Sequence, residues 1–273
     1  MKKATALFAA LCLCLSVCGC GKRGLEQEPD FWKLTDFEGC LTEQFDTRRE
    51  AYLLSQGTDV ENTVQVLQGS QDGPVIYIVA GVHGDEQAGW RAGNLLKETT
   101  LQSGTLYIVS PANPYGAQQA QRRTKEEWDL NRSFPGDPEG GDAHRIAHAI
   151  FTDIQDKQPV LVLDLHEARP KEDDYEKLGS NYDALGNSLI CQSLDGIGEL
   201  VLDAMLTSET GELCSSPLTL YGSPPSGSVN QTVTQQLGIP TITVETLRSE
   251  PLAQRVRNQL ELVEFILEYY DMR

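Results

Sequence analysis

PVIYIVAGVHGDEQAGW, residues 74–90, carries three kinds of sequence in one line. Its first seven residues are a near-continuous apolar and β-branched run, the composition of a strand buried on both faces of a sheet. A turn with two glycines and His83 follows, and from Glu86 onward the spacing reads as a helix over 86–98. A buried strand feeding a helix is the repeating unit of an α/β sheet. His83 and Glu86 therefore fall at the carboxyl end of a strand, where open α/β sheets gather their ligands. Taken alone the pair allows two readings: a polar turn with a first-turn helix acid, or half of a metal site.

The same punctuation recurs along the chain. TLYIVS (105–110), PVLVLDL (159–165) and PTITVET (240–246) are apolar runs of strand length, and TVQVLQG (63–69) alternates like a half-buried strand. Amphipathic stretches over 142–156, 194–206, 228–237 and 252–270 read as helices. There is no internal repeat. The pattern predicts a single α/β domain whose mixed, largely parallel twisted sheet is covered by helices on both faces. Two loops stand out: an acidic one over 171–187, and YGSPPSGS (221–228), rich enough in Gly, Pro and Ser to serve as a flap.

Composition narrows the partners. A formal charge of −18 over 273 residues repels phosphate backbones, which argues against nucleic acid. Lys2 and Lys3 precede an apolar run over 4–17, the pattern of a secretion signal. The run is too short for an ordinary spanning helix. Its end, Val17-Cys18-Gly19-Cys20, resembles a bacterial lipobox with Cys20 as the lipidated residue and Cys18 as the second choice. A leader without lipid, or a retained anchor, is the alternative. Residues 1–20 are thus read as a lipoprotein signal peptide, 21–45 as a tether and N-terminal segment, and 46–273 as the catalytic domain. The expected location is the bacterial cell surface or periplasm, held to the membrane by the lipid alone. Cys40, Cys191 and Cys214 in the body form no disulfide framework; one bridge, Cys191 to Cys214, stays open.

Two further strand ends carry residues suited to chemistry. PVLVLDL runs into His166, and PTITV runs into Glu245. Two imidazoles and one carboxylate supply three ligands and leave a fourth position for water, while another carboxylate nearby can take a proton. Each residue also has a plain reading: a turn histidine, a helix-start acid, a hydrogen-bonded core histidine, a solvent-facing strand-end acid. His144 and His148 have the i, i+4 spacing of zinc helices but lack the glutamate that serves as base, and read as surface and packing residues.

GVHGDE (81–86), DLNRSFPG (129–136), VLDLHEA (162–168) and TITVET (241–246), in this order, resemble the zinc carboxypeptidase superfamily. The nearest branch is similar to the succinylglutamate desuccinylase and aspartoacylase family, over roughly residues 60–270. The resemblance implies one zinc ion held by His83, Glu86 and His166. It implies Glu245 as the general base, which takes a proton from the attacking water and returns one to the leaving amine. Asn131 and Arg132 are implied to bind a substrate carboxylate, and Asp129 to orient the His83 ring. An oxyanion-stabilising arginine is expected in QRRTKEEWDLNR (121–132), where Arg123 fits best and Arg122 lies beside it. Tyr221 stands near the position of the flap tyrosine of the carboxypeptidases.

Departures from the family pattern bear on substrate. About 28 residues follow Glu245, room for one helix, whereas the deacylases add a β-rich domain there. Between Gly222 and Leu247 there is no basic residue to hold the second carboxylate of a succinyl or aspartyl group, and no acid before Glu245 to select a basic side chain. Arg169 or Arg248 would change that expectation if either reached the site. The expected activity is that of a zinc hydrolase cleaving an amide bond beside a free carboxylate, acting on a small peptide, a muropeptide or an N-acyl amino acid. The alternatives are a substrate-binding lipoprotein that kept the fold without catalysis, and a zinc enzyme acting on esters.

Overall fold

The structure is a computed structural model, and it describes residues 32–168 and 185–273. Cys20, Cys18, Arg169 and most of the acidic 171–187 loop lie outside the described residues.

Eight strands form one sheet: β1 (Thr47–Leu54), β2 (Asn62–Gly69), β3 (Gln71–Ala80), β4 (Ser103–Val109), β5 (Leu161–Ala168), β6 (Ser188–Cys191), β7 (Thr219–Tyr221) and β8 (Thr241–Leu247), in the spatial order β1-β2-β4-β3-β5-β8-β6-β7. The central pairs β4-β3, β3-β5 and β5-β8 are parallel, as is β6-β7, while β1-β2, β2-β4 and β8-β6 are antiparallel. The helices among the described residues are α1 (Gln87–Leu96), α2 (Pro114–Gln119), α3 (Asp142–Lys157), α4 (Gly198–Glu209), α5 (Val229–Leu237) and α6 (Leu252–Tyr269).

Strand periodicity divides the core in two. Along β3, Ile76, Ile78 and Ala80 enter one apolar cluster while Tyr77 and Val79 enter the other. The first cluster is covered by α1, α4 and α6 through residues such as Ala88, Leu95, Val201, Val263 and Ile266. The second is covered by α3 and α5 through Ile146, Ile150, Ile154, Val229 and Val233. A strand buried on both faces has no polar side to show, which is why the β3 and β5 sequences run apolar without alternation. Leu34, Phe37, Cys40 and Leu41 also join the first cluster, so the segment before β1 packs against the domain. Cys40, Cys191 and Cys214 are free thiols, all buried, and no bridge joins the latter two.

The structure differs from the sequence expectation at the margins. β1, TRREAYLL, is largely exposed and pairs only with β2. Its charges suit a solvent-facing edge. α4 starts at Gly198 rather than at 194 because Gly196 adopts a left-handed φ of +77°, which interrupts a right-handed helix. No helix among the described residues is long and apolar enough to cross a membrane.

Candidate metal centre

The parallel register sets the site. β5 and β8 align His166 opposite Glu245 and Asp164 opposite Thr243, and β3 lies on the other side of β5 with Ala80 opposite Leu165. The turn after β3 therefore arrives beside the ends of β5 and β8. Gly84 permits that turn: a Cβ there would stand 1.8 Å from the carbonyl carbon of Gly116. Gly89, one turn into α1, lets the helix backbone reach β5, where a Cβ would meet the Leu165 carbonyl oxygen at 2.4 Å. Small residues at these two places bring Glu86, the residue preceding α1, against β5.

His83, Glu86 and His166 converge there, all buried, with one donor atom from each lying within 4.8 Å of the others. The Glu86 carboxylate bridges the rings, with Oε1 at 2.7 Å from His83 Nδ1 and Oε2 at 2.7 Å from His166 Nδ1. Each ring has a carboxylate behind it: His83 Nε2 shares a hydrogen bond with Asp129 Oδ1 at 3.1 Å, while Asp164 Oδ1 lies 2.9 Å from His166 Nε2 as a charge contact without hydrogen-bond geometry. A carboxylate hydrogen-bonded at the far nitrogen fixes the orientation of the His83 ring. Burial works against the charge on Glu86, but the two imidazoles outweigh it and hold its pKa well below the ordinary carboxylate value. Burial likewise opposes a charged His166, yet Asp164 and Glu86 raise its pKa well above that of a free imidazole.

Glu245 lies beside this cluster and behaves differently. The residue as a whole keeps a partial opening to solvent, but its Oε2 is sealed and has no hydrogen-bond partner among the described residues. Burial pushes the Glu245 pKa up to about 8; His166 pulls the other way, and the Glu86 and Asp164 charges add to the rise. Two carboxylates in one pocket thus take opposite protonation tendencies, the arrangement that separates a ligand from a proton carrier.

Of the two adjacent arginines, Arg122 reaches the cluster and Arg123 does not. Arg122 Nη1 donates to Glu86 Oε1 at 3.0 Å and lies 3.1 Å from His83 Nδ1, while its Nε and Nη2 face Asp129 Oδ2 at 3.4 and 3.2 Å. Arg123 instead donates to the Glu127 carbonyl at 3.1 Å on the exposed side of the loop. Of the two arginines expected in this loop, the structure thus brings Arg122, not Arg123, beside the donors. Consecutive side chains in this loop point apart, and spacing alone does not choose between them.

Asp129 caps the short turn of Leu130–Arg132 by accepting from the Asn131 amide at 3.0 Å, which ties the Asn-Arg pair to the ring of His83. Asn131 is buried, and its Oδ1 accepts from the Val229 amide at 3.3 Å, at the start of α5. Arg132 is exposed and lines a surface cavity of about 480 Å³ together with Arg123, Trp128, Asp129 and His144. That cavity touches the cluster only through Asp129, so the donor geometry, not the hollow, locates the centre. His144 and His148 join no metal-donor group among the described residues, and the backbone of His148 runs close to Gly136.

Tyr221 ends β7 at the sheet edge. Through Ser188, the register sets Thr219 rather than Tyr221 level with Glu245, two strands away. No contact among the described residues joins Tyr221 to the cluster. The loop after it packs instead on the Asn-Arg turn, where the Phe134 amide donates to the Gly227 carbonyl at 3.0 Å.

Sequence reasoning passed over Asp164 and Glu167, two acids inside a fully buried strand. An acid amid an otherwise apolar run was the available signal, since burying an unpaired carboxylate is costly. Glu167 accepts from Arg255 Nη1 at 2.7 Å and from the Ala88 amide at 2.8 Å.

A stretch of 101 residues is 36% identical to the N-alpha-acetyl-L-2,4-diaminobutyric acid deacetylase of Halomonas elongata, covering 35% of this chain and 29% of that protein. The product-bound ectoine utilization protein EutE (DoeB) from Ruegeria pomeroyi superposes with a TM-score of 0.63 at 19% identity, over 84% of this chain and 69% of that one. The mDAP-bound form of Csd4, a D,L-carboxypeptidase from Helicobacter pylori, gives 0.61 at 19% identity, over 74% of this chain and 52% of that one. At these identities the structural matches speak for the fold. The sequence profile of the succinylglutamate desuccinylase/aspartoacylase catalytic domain matches residues 72–269, most of the chain and all of the cluster, and the chain belongs to that family.

Proposed function

We propose that the chain is a zinc-dependent hydrolase that cleaves an amide bond beside a free carboxylate, with an N-acyl amino acid or a short peptide as substrate. The observation that carries this reading is the convergence of His83, Glu86 and His166 with an enclosed, high-pKa Glu245 alongside. The donor set fits the ion. Zinc bonds of about 2.0–2.1 Å in a tetrahedron separate ligand atoms by roughly 3.4 Å. The 2.7 Å contacts between Glu86 and the two imidazoles need open by less than 1 Å to reach that spacing. A cationic group, the Arg122 guanidinium, already faces two of the donors.

Zinc held by these residues would polarise a carbonyl and make an attacking water more acidic. Glu245 takes the proton from that water and passes it to the leaving amine, a two-way role that suits a carboxyl with a pKa near neutrality. Arg122 shares the negative charge that develops on the carbonyl oxygen. Arg132, at the rim of the cavity, receives the substrate carboxylate in a two-pronged contact, with Asn131 holding the turn that presents it. The cavity lined by Arg123, Trp128 and His144 gives the rest of the substrate room to extend.

Purified protein lacking residues 1–20 should release product from N-acyl amino acids, C-terminal dipeptides or muropeptides. Chelation and Glu245→Gln should each abolish that release, and turnover surviving both would remove the zinc hydrolase reading. A binding lipoprotein would show neither turnover nor any dependence on Glu245. The leader reading is proposed alongside: Cys20→Ala should abolish fatty-acid labelling of the protein, whereas labelling that persists would point to Cys18.

A further inference from the structure

One side chain touches the neighbours of both the 83–86 turn and the end of β5. Arg248 follows β8, three residues beyond Glu245, and its amide donates to the Ala168 carbonyl at 3.0 Å, prolonging the β5-β8 ladder. Its Nη1 donates to Asp85 Oδ2 at 3.3 Å, its Nη2 donates to the Asp85 carbonyl, and its Nε lies 3.3 Å from Glu167 Oε2. Asp85 immediately precedes Glu86, and Glu167 immediately follows His166. The Glu167 amide in turn donates to Glu86 Oε2 at 3.2 Å.

A guanidinium in this position invites a reading as anchor for a second substrate carboxylate. Its surroundings oppose that reading. Each of its three nitrogens already lies near an oxygen of the protein, and it stands between two carboxylates, Asp85 and Glu167, the second of which it shares with Arg255. Its side chain is only 15% exposed. A third carboxylate would have to displace one of these contacts to reach it. On the other hand, Asp85, Glu86 and Glu167 are three acids crowded at one junction, and a fixed cation between the outer two allows them to stay together.

Resting on the metal hydrolase reading above, we propose that Arg248 is a positioning residue for the metal ligands rather than a substrate-binding one. It clasps the 83–86 turn to the end of β5, at the separation from which one Glu86 carboxylate reaches both imidazoles. Without its guanidinium the 83–86 turn loses this side-chain tie to the end of β5 and relaxes away from the strand. The loss then falls on metal affinity and ligand geometry, before any substrate is present.

The test uses the metal-depleted full chain, titrated with zinc against a chromophoric chelator, and the visible absorption of the cobalt-substituted protein. Arg248→Gln should weaken zinc binding about 10- to 100-fold, the usual size for losing a supporting partner of a ligand, and should alter the cobalt bands. Arg248→Lys should recover part of both. Asp85→Asn should give a similar loss, and the double variant Asp85→Asn/Arg248→Gln should lose little more than the worse single one. Asp85→Asn also carries the test if Arg248→Gln fails to fold, because it leaves the guanidinium in place. Unchanged zinc affinity and cobalt bands, with a raised KM confined to substrates bearing a second carboxylate, would overturn the clasp and make Arg248 an anchor. A wild-type protein that takes up no zinc would overturn the metal reading itself, whereas a zinc-binding wild type with unmoved variants overturns the clasp alone.

Discussion

Arg122 and Arg123 are chemically identical neighbours, and only their partners tell them apart. Arg122 contacts Glu86, His83 and Asp129, whereas Arg123 contacts a backbone carbonyl near solvent. Arg122→Ala is expected to lower kcat by about 10²–10³-fold, the range for losing one donor to a developing oxyanion, while Arg123→Ala stays within a few-fold in the same assay. Equal losses from the two would return the role to the exposed side of the loop. Glu245 supports a prediction that needs no substrate. Its carboxyl carries a folded pKa of about 8 against an ordinary value of 4.5, so the fold binds the neutral form. Such a group contributes its stability in full below the unfolded value and loses it as pH rises through the folded one. In chelator-treated protein, the Tm of wild type relative to Glu245→Gln should therefore decline between pH 5 and about pH 8. A constant difference across that window would mean that Oε2 is not enclosed. The same residue scale shows what the sequence could convey. His83, Glu86, His166 and Glu245 were legible because each lies near or just past the carboxyl end of an apolar run. Asp164, Glu167 and the choice of Arg122 were not, because they depend on which way side chains point inside a strand or loop.

At the scale of elements, four apolar runs and the alternating 63–69 stretch marked the five central strands to within a few residues, since burial on both faces leaves an unmistakable composition and half-burial a period of two. β1, β6 and β7 escaped notice for a different reason. β1 is a charged edge strand, and β6 and β7 are four and three residues long, too short for any period to register. The helix α1 matters most to the site because Glu86 precedes it directly. Its approach to β5 depends on Gly89, whose missing Cβ would stand 2.4 Å from the Leu165 carbonyl oxygen. Helix propensity alone favours alanine by about 1 kcal/mol, so the sign of Gly89→Ala reports which effect wins. Backbone cannot yield as a flexible side chain can, and the clash should prevail. Gly89→Ala is expected to cost about 1–3 kcal/mol in urea unfolding and to weaken zinc binding by displacing Glu86. Gly198→Ala, at the start of α4, is the control: its Cβ would meet only Leu194 at an ordinary 3.9 Å, so that variant should be neutral or slightly stabilising. Two neutral variants would show that α1 has slack against the sheet and that Glu86 is placed by its turn alone.

For the whole molecule, charge sets the terms of substrate encounter. The chain carries a formal charge of −18, and removing a leader with Lys2 and Lys3 makes the remainder two units more negative. An anionic substrate approaching such a surface meets repulsion over the Debye length, about 30 Å at 0.01 M salt and about 8 Å at 0.15 M. Arg122, Arg123 and Arg132 lie close to the site, but Asp129 is paired with Arg122 and Glu126 and Glu127 line the same cavity, so the local positive charge is largely matched. The global field should then dominate at long range and the arginines only at contact. The expected outcome is that kcat/KM for a substrate bearing a free carboxylate rises as monovalent salt is raised over that interval, while kcat itself stays level, because screening removes a barrier to encounter and leaves the chemistry alone. The opposite slope, a falling kcat/KM, would mean that the arginines steer the substrate from solution, as in enzymes that focus attraction into a cleft. Comparing a substrate with its carboxylate amidated separates the two effects, since the neutral analogue should show no salt response in either case.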